Sequence, residues 1–161
     1  MKKQAHLLID GYNVILGLPE LKEIFHCDKE RARDELARIA RAIHDGDGSR
    51  VTLVFDGSGV DHEIMRPGKE LTFSYLFSSA SSTADLVIEG LLSSEADPSS
   101  VTVVTRDRAI LHSALEAGAV IMDPEDMLKW ADQSAAQEKN RAARTRPSEP
   151  DQFGTDLNAL L

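Results

Sequence analysis

Short apolar runs alternate along this chain with stretches in which apolar residues recur every three or four positions. The runs read as buried strands and the recurring positions as amphipathic helices. Ala5 to Asp10 is the first strand, and a loop is expected from Gly11 to Leu18. Pro19 opens a short helical turn through Phe25, and Asp28 is placed to cap the next helix. There Ala32, Leu36, Ile39, Ala40 and Ile43 mark a core face, while Arg31, Arg33, Asp34, Arg38 and Arg41 occupy the wet one. Asp45-Gly46-Asp47-Gly48 ends that helix, and Val51 to Phe55 is a second strand running into Asp56-Gly57.

Residues 58–70 predict an irregular excursion and Leu71 to Phe77 a third strand. A polar loop from Ser78 to Ser82 precedes a helix from about Ala84 to Ala96, with Leu86, Val87, Leu91 and Leu92 on its apolar side, and Asp97-Pro98 breaks it. Val101 to Thr105 is the fourth strand, feeding a helix from about Asp107 to Ala117 that Gly118 stops. Ala119 to Met122 is a short fifth strand, and Pro124 starts a helix reaching Ala136 or beyond.

Strands alternating with helices predict an α/β, Rossmann-like domain: a mostly parallel sheet of about five strands with helices on both faces. With 161 residues, 42% of them apolar, the chain suits one compact domain over residues 1–136. Residues 137–161 read as a tail, basic from Lys139 to Arg146 and then containing Pro147 and Pro150. In it Phe153, Leu157, Leu160 and Leu161 are spaced for a short docking helix. No internal repeat is visible.

Cys27 has no partner cysteine, so no intrachain disulfide forms and a reducing compartment is expected. Lys2 and Lys3 before an apolar run resemble an export signal, but Asp10 and Asn13 interrupt it, and the expectation is a cytoplasmic protein. No run approaches the roughly 20 apolar residues of a membrane helix, so no membrane partner is expected. The net charge of −9 argues against general attraction to a polyphosphate backbone, so any nucleic-acid contact must be local or mediated by a cation.

In an open parallel sheet, ligands bind beyond the carboxyl ends of the strands. Asp10 and Asp56 each end a strand there, and Asp85 and Asp107 each open a helix that follows a strand or its loop. The topology thus brings four carboxylates to one rim. Grouped carboxylates repel one another unless a cation compensates them, and an all-oxygen site suits Mg²⁺ or Mn²⁺. Each aspartate also has a plainer reading: a turn former before glycine for Asp10 and Asp56, a helix-start residue for Asp85 and Asp107. Their coincidence carries the metal reading.

Leu7-Leu8-Ile9-Asp10-Gly11-Tyr12-Asn13 resembles the opening of the YacP-like NYN-domain proteins, a branch of the PIN-like nuclease superfamily. Val54-Phe55-Asp56-Gly57, Ser82-Thr83-Ala84-Asp85 with Ile88 and Glu89, and Val104-Thr105-Arg106-Asp107 are similar to that branch's later motifs, in order. The resemblance covers residues 5–130 and implies a Rossmann-like PIN/NYN domain that cleaves RNA. It implies Mg²⁺ or Mn²⁺ held by Asp10, Asp56, Asp85 and Asp107, with Asn13 orienting a ligand or the scissile phosphate and Thr105 supporting the site by hydrogen bonding. RNA is then the substrate, and the ribosome or its messenger a candidate partner.

Glu89, one turn beyond Asp85, is a candidate supporting carboxylate or a solvated helix position. Tyr12 either stacks on a base or packs beside the first strand. Arg66, Lys69, Arg106 and Arg108 are candidate RNA contacts, because arginine and lysine commonly position phosphates. His6, His26, His44, His62 and His112 lack paired metal-ligand spacing.

A receiver-like signalling domain is a rival, but no lysine closely follows the Val101–Thr105 strand and the acidic pair expected on the first strand is reduced to Asp10. A haloacid-dehalogenase-type phosphatase needs Asp-x-Asp where this chain has Asp-Gly-Tyr. An RNA- or ribosome-binding domain that keeps the fold without turnover stays open.

Overall fold

The computed structural model describes residues 4–145, so the proposed linker and docking helix of the tail lie outside the described residues. Six strands form one sheet, β1 (His6–Asp10), β2 (Arg50–Phe55), β3 (Glu63–Met65), β4 (Phe73–Phe77), β5 (Val101–Val104) and β6 (Val120–Met122), in the order β3-β4-β2-β1-β5-β6. All neighbours pair in parallel except β3, which runs antiparallel to β4. The chain builds outward from β1 through β2 to β4, then returns to β1's other side for β5 and β6. The switch point therefore lies between β1 and β5, where open α/β sheets form their binding crevice.

Alternation along the strands divides the core in two. Leu7, Ile9, Val51, Leu53, Phe55 and Val104 pack under α1 (Gly11–Gly17), α2 (Pro19–Cys27), α3 (Lys29–Asp47) and α6 (Pro124–Thr145). Leu8, Val54, Val101 and Val103 face α4 (Ala84–Ser94) and α5 (Arg108–Ala117). A three-residue 3₁₀ turn, Pro98–Ser100, leads into β5. The expected caps are present: Asp28 Oδ1 accepts the Arg31 N–H at 3.1 Å, and Gly48 and Gly118 end α3 and α5 with φ of 69° and 90°.

Three features depart from the sequence reading. The expected loop after β1 is helix α1, whose Val14 and Ile15 are fully buried; tertiary packing overrides the weak helix propensity of β-branched residues between two glycines. The excursion contains a sixth strand, β3, with every residue exposed, so no apolar alternation could announce it. β4 starts at Phe73, because Leu71 is 70% exposed. The last helix continues through Thr145, with Gly46 of α3 set so close to Ser134 of α6 that a Cβ would lie 2.7 Å from the Ser134 carbonyl oxygen.

Candidate active site

The parity that buries Leu8, Val54 and Val103 against α4 and α5 continues to Asp10 at the end of β1 and to Asp56 and Thr105 just past β2 and β5. All three therefore face the side on which those helices begin. Asp10 is 4% exposed, and its Oδ2 accepts a 2.8 Å hydrogen bond from the Thr105 hydroxyl across the switch point. That hydroxyl accepts the Asp107 N–H at 3.0 Å, and Asn13 Oδ1 accepts the Arg106 N–H at 2.8 Å. The first turn of α1 is thus fastened to the turn between β5 and α5.

Asp56 Oδ1 accepts the Ala84 N–H at 2.7 Å and so holds the start of α4, which Thr83 caps, against the end of β2. Asp85 follows in the first turn of α4. Asp107 caps α5, its Oδ1 accepting from Ala109 and Ile110 at 2.9 and 3.2 Å. Asp10, Asp56 and Asp107 each commit one carboxylate oxygen to the rim; among the described residues the other has no hydrogen-bond partner, and neither has either oxygen of Asp85. The N-termini of α1, α4 and α5 open at this rim and bring partial positive charge to it.

The carboxylates act on one another. Burial pushes the Asp10 carboxyl up to about 6; the Thr105 hydrogen bond opposes this, while Asp85, Asp107 and Asp56 add repulsion. Asp85 is also raised, first by burial and then by Asp107, Asp56 and Glu89. Glu89 thus acts on the rim electrostatically, although its Oε1 accepts from Ser113 on α5 at 3.1 Å.

The all-oxygen donor set and its uncompensated charge suit a hard divalent cation. Among the described residues, no three His, Cys, Asp or Glu side chains converge tightly enough to form a ready-made metal cage. Mg²⁺ characteristically binds one or two carboxylates and retains several waters, so the spread donors fit that ion better than one needing full protein ligation.

The candidate RNA contacts separate. Arg106 holds Asp123 bidentately at 2.9 and 3.2 Å and donates to the Gly17 carbonyl at 2.8 Å, joining the ends of α1 and β6 to the β5–α5 turn. Arg108, exposed at the start of α5, has no ion pair among the described residues and lies beside Asp107. Glu63 pairs with Phe77 at the rim end of β4 and Met65 with Tyr75, so Arg66 and Lys69 follow as the chain heads away from the rim, toward the amino ends of the parallel strands. Tyr12 packs edge-on and tilted against Phe25 and Phe55, with ring centroids 5.9 and 4.9 Å away. Gly11 leaves the space for Phe55, whose ring would lie 2.2 Å from an added Cβ.

Sequence reading passed over Lys29 and Arg33 of α3, which border a cleft beside Asp56. Their four-residue separation, which places both on one helix face, was the available signal.

The sequence model of the YacP-like NYN domain matches residues 7–159. The chain belongs to the YacP-like NYN domain family. That family lies in the PIN-like superfamily, generally nucleases, and the chain has the corresponding nuclease-like fold. The YacP protein of Bacillus subtilis (strain 168) is 35% identical over 88 residues, 53% of this chain and 49% of that protein, so the match spans about half of the relative's length. A crystal structure of Rae1 (YacP) from B. subtilis, a tryptophan-to-leucine mutant, superposes with a TM-score of 0.70 over 91% of this chain and 86% of that one, at 24% identity. A second Rae1 (YacP) crystal structure gives 0.67 over 86% and 79%, at 26% identity. Among the described residues, no helix is long and apolar enough to cross a membrane.

Proposed function

We propose that this YacP-like NYN domain is an endoribonuclease that hydrolyses RNA phosphodiester bonds with Mg²⁺ or Mn²⁺ bound at its aspartate rim. What supports this reading is that Asp10 and Asp56 stand at strand ends and Asp85 and Asp107 at helix starts around the switch-point crevice, near enough for the other three to raise the buried Asp10. Bound there, a divalent ion supplies Lewis acidity toward the phosphoryl oxygen and lowers the pKa of an attacking water.

The chain's own residues set the geometry. Thr105 holds Asp10 by one oxygen and leaves the other without a hydrogen bond among the described residues, while Asp56 and Asp107 hold the starts of α4 and α5. Asn13, its Oδ1 fixed by the Arg106 N–H, presents its side-chain amide beside the carboxylates as a donor for a phosphate oxygen. Asp85 and Glu89 add negative charge that deepens the demand for a cation. RNA, messenger or ribosome-bound, is the proposed substrate and the cytoplasm the proposed location.

The test is cleavage of a labelled pool of structured and single-stranded RNA by the wild type and Asp107→Asn, with Mg²⁺, Mn²⁺ or EDTA. Wild-type cleavage that EDTA and the substitution both abolish is expected. The second reading is an RNA- or ribosome-binding domain that keeps the fold without turnover. RNA binding with no cleavage under any metal condition would select it.

A further inference from the structure

The cleft beside Asp56 has a volume of about 450 Å³ and lies between the start of α3, the first turn of α1 and the end of β4. This is the scale of a site for a small ligand or a single nucleotide unit, well short of a nucleic-acid duplex. Two cations stand in it. Lys29 Nζ lies 4.6 Å from the Tyr12 ring centroid, and the Arg33 guanidinium carbon 5.4 Å from that of Phe77. Arg33 also donates to the Tyr12 hydroxyl at 3.4 Å.

Aromatic faces hold these two side chains, and among the described residues neither has a carboxylate in ion-pairing range. Farther along α3 the arginines are paired, Arg38 with Glu35 at 2.6 Å and Arg41 with Glu70 at 3.1 Å. A cation–π contact orients a cation without neutralising it, so Lys29 and Arg33 keep their charge toward the cleft. In a chain of net charge −9, two positioned and uncompensated cations beside an acidic rim form a local anion site. Asp61 and Glu63, both exposed, also line the cleft and repel a phosphate on their side, which leaves the α3 wall as the favourable one.

We propose that Lys29 and Arg33 form a phosphate-holding subsite for single-stranded RNA, gripping the backbone next to the bond presented to the aspartate rim on the Asp56 side. This inference rests on the RNA reading above. It assigns substrate positioning to the opening turns of α3 and sets the direction in which the strand leaves the carboxylates. Positively charged grooves lined by aromatic side chains are a general means of holding single strands.

The experiment is fluorescence anisotropy of a labelled single-stranded RNA dodecamer in EDTA, at several salt concentrations. The proteins are wild type, Lys29→Gln/Arg33→Gln, the charge-preserving Lys29→Arg/Arg33→Lys, and Arg31→Gln as a same-helix control outside the cleft. The neutral double variant is expected to bind about 10-fold more weakly, with its log–log salt slope shallower by about 1.4, roughly 0.7 for each phosphate no longer neutralised. The charge-preserving variant should stay near wild type and Arg31→Gln should not change; thermal melts confirm folding in each case. Wild-type binding that the neutral double variant retains unchanged would overturn the subsite and leave the nuclease reading standing. A wild type that neither binds nor cleaves RNA would overturn both.

Discussion

His6 and Asp10 lie at opposite ends of β1, where the sheet half-buries the first and buries the second. Burial, with Arg50 adding repulsion and Glu95 opposing it, lowers the His6 imidazole to about 4. His6 is therefore neutral under ordinary conditions and shares a 2.9 Å hydrogen bond with Thr52 on β2. At the other end burial raises Asp10 to about 6, and near neutrality the carboxylate is still mostly ionised among three other aspartates. One end of the strand relieves its ionisable group by neutralising it. The other keeps charge at a place where a cation can bind, which is how a strand rim built for ligands differs from one built for stability.

Asp10→Asn should break this contrast most sharply. Metal-dependent RNA cleavage should fall by at least about 10³-fold, while in EDTA near neutral pH the same substitution should raise stability by about 1–3 kcal/mol through loss of the raised carboxyl. Cleavage assays beside denaturant melts check both halves, and a variant that is less stable and still active would refute the reading of Asp10.

The pH profile separates the two ends. His6, lowered in the fold, contributes stability that is present above about 6.5 and lost as pH falls toward 4, worth about 2–3 kcal/mol. Asp10, raised in the fold, acts in the opposite sense: its contribution is full below its ordinary value of 3.8 and lost as pH rises through about 6. In EDTA the two slopes oppose each other in the wild type between roughly pH 4 and 6. Asp10→Asn should leave stability rising with pH over that window and His6→Gln should leave it falling, as denaturant midpoints would show.

Saturating Mg²⁺ should stabilise the wild type by about 1–3 kcal/mol near neutral pH and leave Asp10→Asn nearly unchanged. Equal thermal shifts in both proteins would place the ion elsewhere. Thr105→Val should have the smallest effect, about 1–2 kcal/mol of destabilisation, because it removes the donor to Asp10 and the acceptor for the Asp107 N–H. Asp10 should titrate still higher in that variant, which NMR of the carboxyl carbon would detect.

The strand–helix alternation, the parallel α/β class and the placing of four aspartates at strand ends and helix starts were all legible along the chain. These are local signals: apolar runs, helical periodicity, and caps such as Asp28 and Gly118. The remainder came from packing between distant segments. Val14 and Ile15 become helical because their burial outweighs local propensity, and β3 exists only because β4 offers it an edge. The bond between Thr105 and Asp10 joins residues 95 positions apart, and nothing local announces it. Arg106 has the composition of an RNA contact until Asp123 and the Gly17 carbonyl are seen to engage it. Lys29 and Arg33 have that of a solvated helix face until Tyr12 and Phe77 are found beneath them. Charge and periodicity are properties of a segment, whereas the partner that neutralises a charge, or leaves it free, is supplied by whichever distant segment the fold packs against it.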